Sequence, residues 1–494
     1  MTATAPIYQR RTREGAVSFS TKVYQAIGAM PDVIKNFAFN TFILLFYNQV
    51  LGVDPRLVSL ALAIAILFDA ITDPLVASIS DNLNTCWGRR HPLMMLSALP
   101  MALSVYGVFV PPAGLPEGQL FAWLLTFVIL TRGSMTLFFV PWSATTAELS
   151  DDYNERTSIM SYRYAVGWII AVSFPLFVFT FLFPSTTEYP IGQLNPEGYP
   201  RLALAAAIIM AGAAIATTWL TRREIPYLRQ HTEKTEVFGA TRIVRELMSA
   251  LQNRQFRLVF LIVLISSAIG GTTANIGIYM TTFFWGFNTD ELRWFAFSAA
   301  GAVFAFPLVA AIQKTWDKRT ILLWCSIVSL FDGIIIVNLR FLGVLPENGD
   351  PLLLIILVCA GVFAAAVAVV QGIIGASIVA DTLDDHELRT GLRQEAMFFA
   401  GLSFSGKAIS GLGIVLGGFI IAMIDFPSGV MPSQIPEDKI FMLGLSVGVL
   451  VPLFHLIPIS LISRYKITRE ELARIRAALE ARKIDDARAP STES

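Results

Sequence analysis

Asp69 and Asp73 stand four residues apart inside residues 57–79, an apolar run long enough to cross a bilayer. A charge at that depth costs a few kcal/mol even on the milder insertion scales. Such carboxylates therefore mark an ion pathway or a binding site, or else a pair made with a neighbouring helix for assembly. At helical spacing, residues i and i+4 share one face, so both acids converge on one point. A small cation satisfies both at once. The oxygen chemistry suits Na+, which takes hard ligands, and the same carboxylates can accept a proton.

Other ionisable side chains lie deep in apolar runs: Asp32, Lys35, Arg132, Arg163 and Lys407. Each must face the protein interior or a wet cavity. Lys35 follows Asp32 by three residues and can satisfy it within one helix. Arg132 has three readings: it snorkels to the interface, pairs internally, or faces a cavity and binds a carboxylate with its planar fork. Phe138, Phe139 and Trp142 crowd one stretch, where core packing or lipid contact explains any single ring as well as a cavity does.

The elements that must hold these residues are membrane helices. The chain is 54% hydrophobic and 15% charged over 494 residues, with a mean hydropathy of +0.61; soluble domains run at about 25% charged. Against the roughly 20 residues a spanning helix needs, twelve runs qualify: 23–51, 57–80, 92–111, 119–148, 158–184, 201–221, 256–286, 293–313, 320–342, 352–380, 394–424 and 439–463. A polar segment at 222–255 divides them into six plus six. The expected organisation is a first bundle at 1–221, a linker at 222–255, a second bundle at 256–463 and a tail at 464–494.

One set of alternate loops holds Arg56 as its single cation, whereas the other holds Arg89, Arg90, Arg156, Lys314, Lys318, Arg319, Arg389 and Arg393. The positive-inside rule then places both termini in the cytoplasm. The Arg-rich tail reads as an amphipathic surface helix or as a solvated charged one. A net charge of zero gives no basic field for nucleic acid. Cys86, Cys325 and Cys359 have neither disulfide-framework nor metal-site spacing. No signal-peptide core follows the early arginines. No phosphate loop or nucleophile elbow points to an enzyme.

The halves echo each other. Asp81 precedes Arg89 and Arg90 between the second and third runs, and Asp317 stands among Lys314, Lys318 and Arg319 between the eighth and ninth. Matched acids are more than topology requires. Repeated halves are the build of an alternating-access carrier, with its solute held near the midplane.

Five ordered motifs carry a family likeness: Phe68-Asp69-Ala70-Ile71-Thr72-Asp73-Pro74; Trp87-Gly88-Arg89-Arg90-His91-Pro92; Val140-Pro141-Trp142-Ser143 with 148–156; 380–387; and 391–395. Together they resemble the glycoside–pentoside–hexuronide:cation symporters of the major facilitator superfamily, the melibiose permease-like carriers, over almost the whole chain. The resemblance implies an all-α polytopic fold of twelve helices in two six-helix bundles. It implies cation-coupled symport, by Na+ or H+, of a glycoside, hexuronide or related organic solute across the plasma (inner) membrane, by a monomer with no organic cofactor.

By that resemblance the cation site is Asp69 and Asp73 with Thr136. Thr72 replaces the asparagine of melibiose permease, which leaves Na+, Li+ and H+ open. The substrate set is Asp32, Arg163 and Lys407, with Trp142, Phe139 and Ser403. Phe139 stands where a second sugar-binding acid is found in melibiose permease, which points away from galactosides and towards a less polar or an anionic solute. A lysolipid or other amphiphile is the alternative cargo. The gating set is Asp81, Arg89, Arg90, Glu148 and Arg156 in the first half. In the second half it is Asp381, Asp384, Glu387 and Arg393, with Asp385 and Arg389 beside them.

Overall fold

The computed structural model describes residues 13, 15–83, 85–150, 152–228, 251–390, 395–430 and 432–488. The secondary structure of these residues is helical throughout, and ten of the helices are long and apolar enough to cross a membrane. They cover the second to tenth expected spans and the twelfth. The first span is interrupted: helices Phe19–Ile27 and Met30–Ala38 are followed by π turns at Phe39–Ile43 and Phe46–Val50. The eleventh is the Glu395–Met423 helix, whose apolar end is Gly411–Met423. Most of the linker, 229–250, and the side chains of Arg393, Ser403 and Lys407 lie outside the described residues.

Local chemistry starts the helices that matter most. The second span, Pro55–Asn82, begins with Asp54 accepting from the Arg56 N–H and with a proline at its first position, where the missing N–H and fixed φ are harmless. The fourth, Glu117–Glu148, puts Glu117 in its first turn, where a negative charge meets the positive end of the helix dipole. The fifth, Tyr153–Phe177, is capped by Asp152, which accepts from the Glu155 N–H at 2.7 Å.

The chain forms two compact units. The first holds residues 1–238 together with 274–296 and 414–443. In it the segments 274–296 and 414–443, from the seventh and eleventh spans and the stretches that follow them, pack on the first and second spans. Tyr279 Oη donates to Asn48 Oδ1 at 2.7 Å, Asn275 Nδ2 donates to the Ile414 carbonyl at 3.0 Å, and Gln49 Nε2 donates to the Pro427 carbonyl at 3.1 Å. Gly418 lies so close to the second span that a Cβ there would stand 2.1 Å from Ser59 Oγ and 2.4 Å from the Pro55 carbonyl oxygen.

The second unit holds 239–273, 297–413 and 444–494. Its apolar core gathers Phe256, Ile321, Val370, Ile374, Ile462 and Tyr465. The tail helix Arg469–Arg488 belongs to this core, since Ile475 and Leu479 are buried in it. This decides between the two readings of the tail: one face is packed against the unit and the remainder is solvated.

Candidate functional site

The second and fourth spans run side by side in the first unit and carry a two-rung ladder. Arg132 Nη1 donates to Asp69 Oδ2 at 2.5 Å. One turn along, Thr136 Oγ1 donates to Asp73 Oδ1 at 2.9 Å. Each helix contributes residues four apart, so the rungs follow directly from helical spacing. Asp69 is buried, and its Oδ1 has no hydrogen-bond donor among the described residues. A buried acceptor without a donor costs its full desolvation, a debt that an arriving cation removes. Asp69 Oδ1, the Asp73 carboxylate and the Thr136 hydroxyl oxygen form a hard-oxygen set of the type Na+ takes.

Two further side chains take defined places at this site. Thr72 turns its hydroxyl onto its own helix, donating to the Phe68 carbonyl at 3.1 Å. A β-branched hydroxyl in an apolar helix is satisfied most cheaply this way. Arg132 is paired internally rather than snorkelling. Its place was legible in principle: it precedes Thr136 by four residues, and the resemblance had put Thr136 beside the acids.

On the solute side, Asp32 is bound within its own helix, as the spacing suggests: Lys35 Nζ donates to Oδ1 and Asn36 Nδ2 to Oδ2, both at 3.0 Å. Arg163 lies over the Trp142 ring at 4.0 Å and the Phe139 ring at 5.4 Å from the centroids. It spends its charge on aromatic faces, a favourable use for a guanidinium. Trp142 itself is fully buried. Its indole N–H donates to the Gln25 carbonyl at 2.8 Å, and the ring fills the space that a Cβ on Gly28 would need. Trp142 is thus a core residue that supports Arg163 and has no exposed surface of its own. Phe138 is likewise core, whereas Phe139 is half-buried. Gln25 escaped the sequence reading; it locks Trp142 in place through bonds to the Trp142 carbonyl and to Thr145 and Thr146. In the second unit Ser266, Ser267, Ser326 and Gln371 line a cavity of 470 Å³, a feature no sequence motif announced.

The charged loops also assemble. In the first unit Glu148 Oε1 accepts from Arg89 at 2.6 Å and Arg90 at 2.9 Å, and Arg90 also pairs with Asp81 at 2.6 Å. Arg156 Nε donates to the Ser150 carbonyl at 2.7 Å. In the second unit Lys318 pairs with Asp381 at 2.5 Å, Arg389 with Asp385 at 3.0 Å, and Arg476 of the tail helix with Asp384 at 3.1 Å and Asp381 at 3.6 Å. Tyr465 closes the same region with its hydroxyl 3.2 Å from that of Thr382. Burial, with Asp381 and Asp385 nearby, pushes its phenol above the ordinary range, so it stays neutral.

A helical, multi-pass membrane protein with a paired-acid ladder in one bundle and matched charged loops is a carrier of the major facilitator class, not an enzyme. The sequence pattern of the MFS/sugar transport protein family matches residues 24–469, and the chain belongs to that family. An uncharacterized symporter of Synechocystis sp. is 25% identical, covering 94% of this chain and 97% of that protein. The inner membrane symporter YicJ of Escherichia coli is 21% identical over 88% of each chain. The sodium-dependent lysophosphatidylcholine symporter 1-A of Danio rerio is 32% identical over a shorter stretch, 32% of this chain and 30% of that one. Among solved structures, the nucleoside transporter NupG superposes with a TM-score of 0.60 at 11% identity, over 91% of this chain and all of its own. A D-xylose-proton symporter gives 0.55 at 13% identity, over 88% and 97%. These two likenesses concern the fold.

Proposed function

We propose that the chain couples the movement of one monovalent cation, bound at Asp69, Asp73 and Thr136, to that of an organic solute held beside Arg163 and Asp32. The observation that carries this reading is the ladder with its donorless buried oxygen at Asp69. Membership of a sugar-transport family and relatives named as symporters support the coupling. Na+ or H+ serves as coupling ion, and the inner membrane is the proposed location, as for YicJ. The loop clusters act as gates, because shared ion pairs can be broken and remade as bundles rock.

For the solute we favour a glycoside or hexuronide carrying an anionic group. Arg163 offers a guanidinium whose described contacts are the rings of Trp142 and Phe139, with Asp32 acting on it electrostatically, and Phe139 offers an apolar face. Guanidinium forks match carboxylates well. A lysolipid is the second reading, supported by the partial likeness to the zebrafish lysophosphatidylcholine carrier.

Proteoliposome uptake decides between them, with glycosides, uronides and lysolipids each assayed with and without a Na+ gradient. Asp73→Asn should abolish gradient-driven accumulation while the protein still inserts, because an amide lacks the charge that offsets ion dehydration. Undiminished accumulation in that variant would sink the cation-site assignment.

A further inference from the structure

The cation reading leaves one group unexplained, a guanidinium bonded to one of the two acids meant to receive the ion. Arg132 and Asp69 are both largely shielded, with side-chain exposures of 14% and 11%, and Nη1 sits 2.5 Å from Oδ2. The neighbouring rung is made by a neutral hydroxyl, that of Thr136. The Asp69 rung thus already holds a full positive charge.

We infer that Arg132 is a tethered counter-cation that competes with the coupling ion for Asp69, lowering the ion's affinity and standing in for the ion when the site is unloaded. The inference rests on the cation-site reading above and adds a residue that sets the site's affinity.

The physical case has two parts. A carrier of this kind must pass through a state with no ion bound, and a buried carboxylate without a countercharge is strongly penalised there. A guanidinium on a helix is a countercharge that cannot diffuse away. Secondly, the same charge a few ångströms from an arriving cation repels it, by tenfold or more in affinity at any effective dielectric appropriate to a protein interior. A purely structural ion pair predicts neither effect in that direction: its removal destabilises the fold without any gain in ion binding.

The test uses the purified full chain and the ions themselves. Thermal unfolding is followed across NaCl and LiCl series, with choline chloride holding ionic strength, and the half-saturating concentration is read for each ion. Arg132→Gln should bind Na+ about tenfold more tightly or better than the parent. Arg132→Lys, whose compact and strongly hydrated ammonium loses the fork, should tighten binding by about threefold; it decides the matter if the glutamine variant does not fold.

A half-saturating concentration that is unchanged or raised in both Arg132 variants overturns the inference while leaving the cation site standing. A parent protein that neither Na+ nor Li+ stabilises brings down the metal-cation reading and this inference with it.

Discussion

Arg90 and Lys318 hold corresponding places in the two halves. Each lies where a loop meets the third helix of its half, and each reaches an acid 58 or 63 residues on, at the end of the fourth span or in the tenth: Glu148 at 2.9 Å and Asp381 at 2.5 Å. The second cation differs. In the first half it is Arg89, adjacent in the loop and bonded to the same Glu148 oxygen. In the second half the adjacent Arg319 turns instead to the Ser463 carbonyl, and Arg476 of the tail helix supplies the second charge on Asp381. The repeated pattern is thus one of charge placement rather than of chain segment. The second cluster depends on residues beyond the twelve spans, while the first is complete within its own loop and helices.

The sharpest way to break this comparison is to remove the tail. Ending the chain at residue 468 deletes Arg476 and exposes the surface that Ile475 and Leu479 cover, at about 1.5–3 kcal/mol for each buried side chain. Unfolding of the second unit, followed by limited proteolysis in detergent, should shift by several kcal/mol with the first unit's fragments unaffected. An unchanged protease profile would show that the tail is a passenger.

Arg90→Ala should come next, at about 2–3 kcal/mol, because buried Glu148 keeps Arg89 but loses its second guanidinium and Asp81 loses its closer partner; Arg90 side-chain exposure is 7%. Lys318→Ala should cost less, about 1–2 kcal/mol, since its side chain is 30% exposed and Arg476 still faces Asp381. Equal melting shifts for the two variants would erase the asymmetry between the halves. Smallest of all, Arg476→Ala should cost under about 1 kcal/mol by itself, for a side chain 58% exposed. A melting shift as large as that of the truncation would move the weight of the tail from its apolar face to its charge.

Much of this architecture is legible in the residues. Hydropathy finds the spans because backbone groups in a bilayer must be satisfied within a helix, and the spacing of Asp32 and Lys35 allows the pairing they make. What stays hidden depends on neighbours that no periodicity encodes. The π turns at Phe39–Ile43 and Phe46–Val50 have the same apolar composition as ordinary helix. Trp142 reads as a cavity aromatic until Gly28 and Gln25, over 110 residues away, are seen to enclose it. Thr72 reads as an ion ligand, yet a hydroxyl can always choose its own backbone. The tail's two buried residues are too few to raise its pattern above that of a solvated helix, and only the core of the second unit reveals their use.

Gly418 has a consequence for speed. Where it meets Ser59 and Pro55 the join is backbone against hydroxyl and carbonyl, with no side chain of the eleventh span at that point. Surfaces of that kind part by simple withdrawal, without waiting for rotamers to flip or interlocked groups to clear. One added methyl, 2.1 Å from Ser59 Oγ and 2.4 Å from the Pro55 carbonyl oxygen, would turn a fast clasp into a wedge between the two spans.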